Sequence, residues 1–183
     1  MKLIVSLTHV IIFLFCTQHL LSQSEVVPKG QNGFEMDYGM GFIEGKNLQL
    51  AYIGGSINGK IDLGVGLASI PPNPSYIFGG AYHIGGETDQ AGLALSAGYV
   101  IFPSVDNYFV FGTGFYANED IGGITLVPSV NVEFATQNTI TYAGAFGMGI
   151  FTKGQVVMAL RPSFVFSPER SYISLTIGIL ARS

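Results

Sequence analysis

Large apolar residues alternate with small or polar ones along the stretch from Thr139 to Ile179, near the C-terminus. Three segments of this stretch place a large apolar side chain at every second position, as Phe146 and Met148 illustrate in the first. The intervening positions hold mainly Gly, Ala, Ser and Thr, and in the second segment Arg161. A period of two residues puts successive side chains on opposite faces of a β-strand. The stretch therefore predicts three strands, each with an apolar face and a small or polar face.

The alternation continues through the preceding residues, from about position 34 onward, in segments long enough for a tilted transmembrane strand of about 9–11 residues. Asn58-Gly59 predicts a two-residue type I′ hairpin turn. The other predicted connections are turns at Gly45-Lys46, Gly86–Gln90, Asn118–Ile121, Gln137-Asn138 and Lys153-Gly154, and Pro-rich loops at 71–74, 103–107 and 167–170. The fold class is therefore all-β: an antiparallel up-and-down transmembrane β-barrel of about ten strands, with eight or twelve as alternatives. An even number places both termini on the periplasmic side.

Some predicted strands depart from simple alternation, either in which face is apolar or because they contain a proline. In the second strand, the pattern groups Leu48, Leu50 and Tyr52 with the apolar face. The strand at about 108–117 is apolar on both faces, so its orientation is left open. Pro128 and Pro162 lie within strands, where a proline removes a ladder hydrogen bond. A bulge or kink is expected at each proline.

The charges within strands decide which face points to water. All of these charges fall on the face of small residues, and His83 lies on the same face. The set is Glu35, Asp37, Lys60, Asp62, His83, Glu133 and Arg161. The apolar face carries no charge in the middle of any predicted strand, as expected for contact with lipid, where Lys or Arg costs about 2–4 kcal/mol at the midplane. In the alternative, a soluble barrel, the outer face would be mostly Gly, Ala and Ser with few charges. We favour the lipid-facing orientation and expect these residues to form a charged cluster in the lumen.

Over residues 34–181 the pattern resembles the small bacterial outer-membrane β-barrel proteins. This resemblance implies a porin-like location in the bacterial outer membrane, with outer-membrane lipid and the barrel assembly machinery as partners. The composition agrees, because 48% of residues are hydrophobic and only 11% are charged, against roughly 25% charged in soluble domains. A net charge of −4 with scattered basic residues argues against nucleic acid as a partner. The oligomeric state is left open.

The N-terminus has the features of a secretory signal peptide. Lys2 is followed by an apolar run from Leu3 to Phe15, and Ser22-Gln23-Ser24 offers small residues for cleavage. The sequence therefore divides into a signal peptide at 1–24, which is cleaved, and a barrel domain at 25–183. Cys16, the single cysteine, would leave with the signal, so neither a disulfide nor a thiolate metal site is expected.

The residues available for chemistry are few. His83 is the one histidine after residue 24, so a zinc site or a catalytic triad is not expected, and a structural histidine is the favoured interpretation. The acidic residues could form a paired-carboxylate site of the glycosidase type. We favour ion pairs with Lys60 and Arg161, because charges away from water need partners. No catalytic residue, cofactor or metal is predicted.

These observations predict a non-enzymatic outer-membrane barrel that serves as a narrow channel or as a structural or interaction barrel. A secreted lipid-binding barrel and an outer-membrane lipid-modifying enzyme are the alternatives. Because the inward positions are mostly Gly and Ala, a ten-stranded barrel should leave a water-accessible lumen beside the charged cluster. Its inward charges, four acidic against two basic, predict a preference for cations.

Overall fold

A computed structural model describes residues 26–43, 45–70, 73–85, 91–103, 107–136, 140–167 and 171–183. The predicted signal peptide lies outside these residues and stays a prediction. No helix in the described ranges is long and apolar enough to cross a membrane. The strands are β1 (Gly33–Ile43), β2 (Lys46–Ile57), β3 (Ile61–Ile70), β4 (Asn73–Gly85), β5 (Ala91–Ile101), β6 (Tyr108–Ala117), β7 (Glu119–Ile121), β8 (Ile124–Thr136), β9 (Ile140–Thr152), β10 (Val156–Phe166) and β11 (Ser171–Arg182).

The strands form a single closed antiparallel sheet. Sequence neighbours pair with each other except β6 and β7, the first and last strands pair, and β6 pairs with β8. The short strand β7 pairs with β8 in the same register as β6 does, so β6 and β7 make one barrel strand interrupted at Asn118. The prediction of an antiparallel barrel with about ten strands is thus confirmed. Both ends of the described chain lie at one end of the barrel, here called the terminal end; the other is the distal end.

The turn at Asn58 determines how β2 faces. Asn58 and Gly59 have φ of 56° and 60°, and the Lys60 amide donates to the Ile57 carbonyl, as in the predicted type I′ turn. However, the ladder starts with Ile57 opposite Ile61, which leaves Lys60 as an extra residue. A one-residue shift moves every side chain of a strand to the other face. Leu48, Leu50 and Tyr52 therefore point into the barrel and are buried, which corrects their predicted outward placement.

Two further local expectations are corrected. The turn predicted at Asn118–Ile121 lies later, at Gly122-Gly123, because β7 extends the strand. Pro128 and Pro162 produce no change of register: pairing with one neighbouring strand is interrupted at each and resumes in the same register. The missing proline N–H therefore costs ladder contacts but inserts no residue.

The outside of the barrel is a continuous apolar surface. Every second residue of β1, from Phe34 to Phe42, is large, apolar and more than half exposed, and similar rows cover the other long strands. Near the distal end this surface carries aromatic side chains on most strands, an arrangement typical of the girdle at a membrane interface. These residues are Phe42, Tyr76, Tyr99, Phe109, Phe134, Tyr142 and Phe166. The predicted lipid-facing orientation is confirmed.

Large apolar side chains fill both ends of the interior. The distal cluster contains residues at the distal ends of the strands: Ile43, Leu48, Leu50, Tyr52, Ala68, Ile70, Ile77, Val100, Phe102, Tyr108, Val110, Ala135, Ala143, Ala145, Val165 and Tyr172. The terminal cluster contains Val26, Val27, Ala81, Ala94, Tyr116, Val127, Phe151, Val157, Ala159 and Leu180. The strand at 108–117, whose orientation the sequence left open, contributes Tyr108, Val110 and Tyr116 to this interior.

Candidate functional site

A layer of polar side chains crosses the barrel between the two apolar clusters. Its members come from most strands of the barrel and are all buried: Glu35, Asp37, Ser56, Asp62, His83, Ser96, Asn131, Glu133, Arg161, Ser174 and Thr176. We call this set the polar layer. Six of the seven residues predicted for the lumen cluster lie in it.

The first group in the polar layer surrounds Arg161 on β10. Its guanidinium contacts the Glu35 carboxylate, and its Nη1 donates to Asp37 Oδ2 at 2.9 Å. Both acids lie on β1, which is separated from β10 only by β11. The predicted contact between Arg161 and Glu35 is thus present. A charge removed from water needs such charge-assisted partners.

Two glycines make room for this group. A Cβ at Gly178 would overlap the Asp37 carboxylate, and one at Gly149 would overlap the Phe151 ring. The Arg161 guanidinium carbon lies 5.0 Å from the centroid of that ring, within the range of a cation–π contact. The small residues of the inward face therefore accommodate neighbouring side chains.

The second group joins β3, β4 and β6. His83 Nε2 lies 3.0 Å from Asp62 Oδ2, and His83 Nδ1 lies 3.2 Å from the Tyr116 hydroxyl. The His83 and Asp62 side chains are fully buried. The Tyr116 ring lies where a Cβ at Gly92 would be, so a glycine again makes room for an aromatic ring.

Glu133 on β8 stands apart from both groups. It is 1% exposed, and neither carboxylate oxygen has a hydrogen-bond partner within the described part of the chain. Its side chain meets that of Ser96 above Gly112, where a Cβ would lie 3.1 Å from Glu133 Cγ and 2.6 Å from Ser96 Oγ. The expected ion pairing of Glu133 with Lys60 or Arg161 is not found in the described part of the chain.

Lys60 is the predicted cluster residue that lies outside the polar layer. It follows the turn at Asn58-Gly59 and is partly exposed at the terminal end. Its carbonyl accepts a hydrogen bond from the His83 amide. The sequence analysis missed Tyr116 because the phase of its strand could not be assigned, and missed Tyr52 because of the register shift at Lys60.

Water-sized space reaches the charged residues of the polar layer unevenly. Glu35 and Asp62 are 0% exposed, so no water-sized space adjoins them, whereas Arg161 is 8% exposed. A water-accessible lumen along the rest of the barrel stays a prediction. The lumen prediction counted the Gly and Ala positions but not the large inward residues of β2, β6 and β9. Tyr52 lies over Gly64 and Phe151 over Gly149, so that aromatic rings occupy the space that glycines leave.

The chemistry open to this layer is limited by its enclosure. Among the described residues, no group of three or more His, Cys, Asp or Glu side chains could hold a metal ion. The Asp62–His83–Tyr116 group contains a proton acceptor, but its His83 and Asp62 side chains are fully buried. The arrangement is suited to holding the strands together by ion pairs and hydrogen bonds across the barrel.

A closed antiparallel sheet with an apolar exterior, an aromatic girdle and its charges inside satisfies every backbone group within a membrane and defines an outer-membrane β-barrel protein. A barrel with this exterior belongs in an outer membrane. Neither the comparison with protein-family models nor the comparison with curated proteins gives a match.

Several solved structures resemble the chain at low sequence identity. The N-terminal β-barrel domain of Pseudomonas aeruginosa OprF matches over 85% of this chain and 98% of its own, with 10% identity and a TM-score of 0.43. The translocator domain of the autotransporter NalP from Neisseria meningitidis matches over 90% and 91%, with 10% identity and a TM-score of 0.44. The KdgM porin matches over 80% and 98%, with 9% identity and a TM-score of 0.48. The assignment to the outer-membrane β-barrel proteins depends on the closed sheet, its apolar outer face and its charged interior, and not on these similarities.

Proposed function

We propose that this protein is a non-enzymatic structural or interaction barrel of the outer membrane, with an interior that is closed at rest. The observation that carries the proposal is the position of the polar layer between the distal and terminal clusters. An ion crossing the barrel would have to pass both apolar clusters and the ion pairs between them. Desolvation makes such a path costly.

The chain before β1 adds to the closure of the terminal end. Val26 and Val27 are buried in the terminal cluster. Asn32 and Ser183 exchange two backbone hydrogen bonds of 2.9 Å, and the Gly30 amide donates to the Asn58 carbonyl at 3.1 Å. These bonds hold the segment across the end of the barrel.

The absence of catalysis is part of the proposal. His83 and the carboxylates of the polar layer are enclosed, and a catalytic group must be reached by its substrate. The secreted lipid-binding alternative has no support, because the described interior is filled by side chains and the apolar face points outward.

A second candidate function is a narrow channel that opens from this closed state. The polar layer favours it, since its four carboxylates outnumber its one arginine and one histidine, and Glu133 has no hydrogen-bond partner among the described residues. An interior with this balance of charge would prefer cations.

Planar-bilayer recording with refolded protein separates the two candidates. Correct folding is first established by heat-modifiable gel mobility and by flotation with lipid vesicles. The closed barrel predicts no conductance steps over the voltage range that the bilayer tolerates. Cation-selective steps would overturn the closed barrel and support the channel.

A further inference from the structure

A groove opens on the lipid-facing side of the barrel, across five adjacent strands from β11 to β4. Its volume is about 740 Å³, within the roughly 300–1,000 Å³ of small-molecule pockets. Its floor is Ala51 on β2, whose partners in register on the same face are Tyr38 and Leu67. Ile177 and Tyr76 extend this row on either side. The groove arises because one small side chain lies in a row of large ones.

The apolar surface is interrupted beside this groove. Gln49 and Ser69 pair across β2 and β3, and both point outward. Gln49 lies two residues from Ala51 on the same face, toward the distal end. Asn47 continues this polar run, and the exposed Lys46 begins β2. The outward surface is therefore apolar near the middle of the barrel and polar near the distal end. Lys46, in phase with the inward Leu48, is exposed at the rim, two residues after Glu44 in the sequence.

We propose that this surface binds a phosphorylated glycolipid of the outer leaflet, with one acyl chain in the groove and the headgroup against the polar run. With the termini in the periplasm, the distal end lies in the outer leaflet. The amide and the hydroxyl lie beside the aromatic girdle, at the level where lipid headgroups meet the barrel. The sugar hydroxyls of a glycolipid supply hydrogen bonds to Gln49 and Ser69, and its phosphate complements Lys46.

The shape of the groove favours a lipid over a second copy of the chain. A second barrel would offer a convex wall with its own alternating side chains, which contacts the edges of a groove but not its floor. A flexible acyl chain reaches the floor at Ala51 between the large side chains on either side of it.

Native mass spectrometry of the refolded protein in detergent, with purified lipid A as the probe, tests the proposal. The wild type should retain one lipid A molecule per barrel. Ala51→Phe fills the groove and should weaken retention by at least about tenfold. Ala97→Phe is the matched control: Ala97 on β5 is also small, outward-facing and exposed, but lies outside the groove, so this variant should bind as the wild type does. Heat-modifiable mobility confirms that both variants fold.

A second variant keeps the test decisive if Ala51→Phe fails to fold. Gln49→Leu combined with Ser69→Ala removes the polar pair and leaves the groove intact, and it should also weaken lipid A retention. Equal retention by the wild type and these variants would overturn the proposal. So would equal retention of phosphatidylglycerol and lipid A by the wild type, or a dimer that Ala51→Phe disrupts.

Discussion

Replacing Arg161 by methionine should destabilise the barrel more than replacing Arg161 and Glu35 together. Arg161 contacts Glu35 and Asp37, and all three are buried in the polar layer. The single change leaves two buried carboxylates without their cation. The double change with Glu35→Gln leaves only Asp37 in that position.

The expected magnitudes follow from this contact pattern. Removing one partner of a buried ion pair costs about 3–5 kcal/mol, so Arg161→Met should lower the free energy of unfolding by that amount. The coupling between Arg161→Met and Glu35→Gln should lie in the range of roughly 0.5–3 kcal/mol found for residues in contact. Glu133→Gln is the matched control, because its strand is as far from β10 as β1 is, but neither Glu133 carboxylate oxygen hydrogen-bonds to Arg161. Its effect should add to that of Arg161→Met within about 0.5 kcal/mol.

Urea unfolding of the refolded variants in lipid vesicles measures these differences. The protein contains no tryptophan, so far-UV circular dichroism and heat-modifiable gel mobility serve as the probes. A coupling for Glu35 no larger than that for Glu133 would refute the argument that the contact around Arg161 stabilises the barrel.

Two further predictions concern the outer surface and the packed interior. Leu175→Arg, on the lipid face of β11, should lower the free energy of unfolding by about 2–4 kcal/mol. Ile57→Arg, at the end of β2, should lower it by about 0–1 kcal/mol. Equal unfolding free energies for the two variants in vesicles would contradict the membrane placement. Gly64→Ala should lower the free energy of unfolding by about 1–3 kcal/mol, because its Cβ would overlap the Tyr52 side chain. Gly123→Ala places its Cβ where nothing lies within 4 Å, so it should change that free energy by less than about 0.5 kcal/mol. If thermal unfolding does not distinguish these two glycine variants, the packing of Tyr52 against β3 is not as described.

The amino-acid sequence by itself determined the strands, their approximate number and the face that meets lipid. These features depend on local geometry: a period of two residues separates the faces of a strand, and a charge such as Arg161 cannot lie on the lipid side at the midplane. The Asn58-Gly59 turn was equally local, because positive φ at both residues follows from their identity.

Only the tertiary structure decided how the strands fit around the barrel. One extra residue, Lys60, shifts the register of β2 and turns Leu48 and Tyr52 inward, and the local pattern could not reveal this. The same holds for the partners of Arg161, since Glu35 is brought to it by closure of β1 on β11 while Glu133 is not. Whether the interior is open depends on side chains that meet across the barrel. Contacts between residues distant in sequence are fixed by register and closure, so the filled interior became visible only in three dimensions.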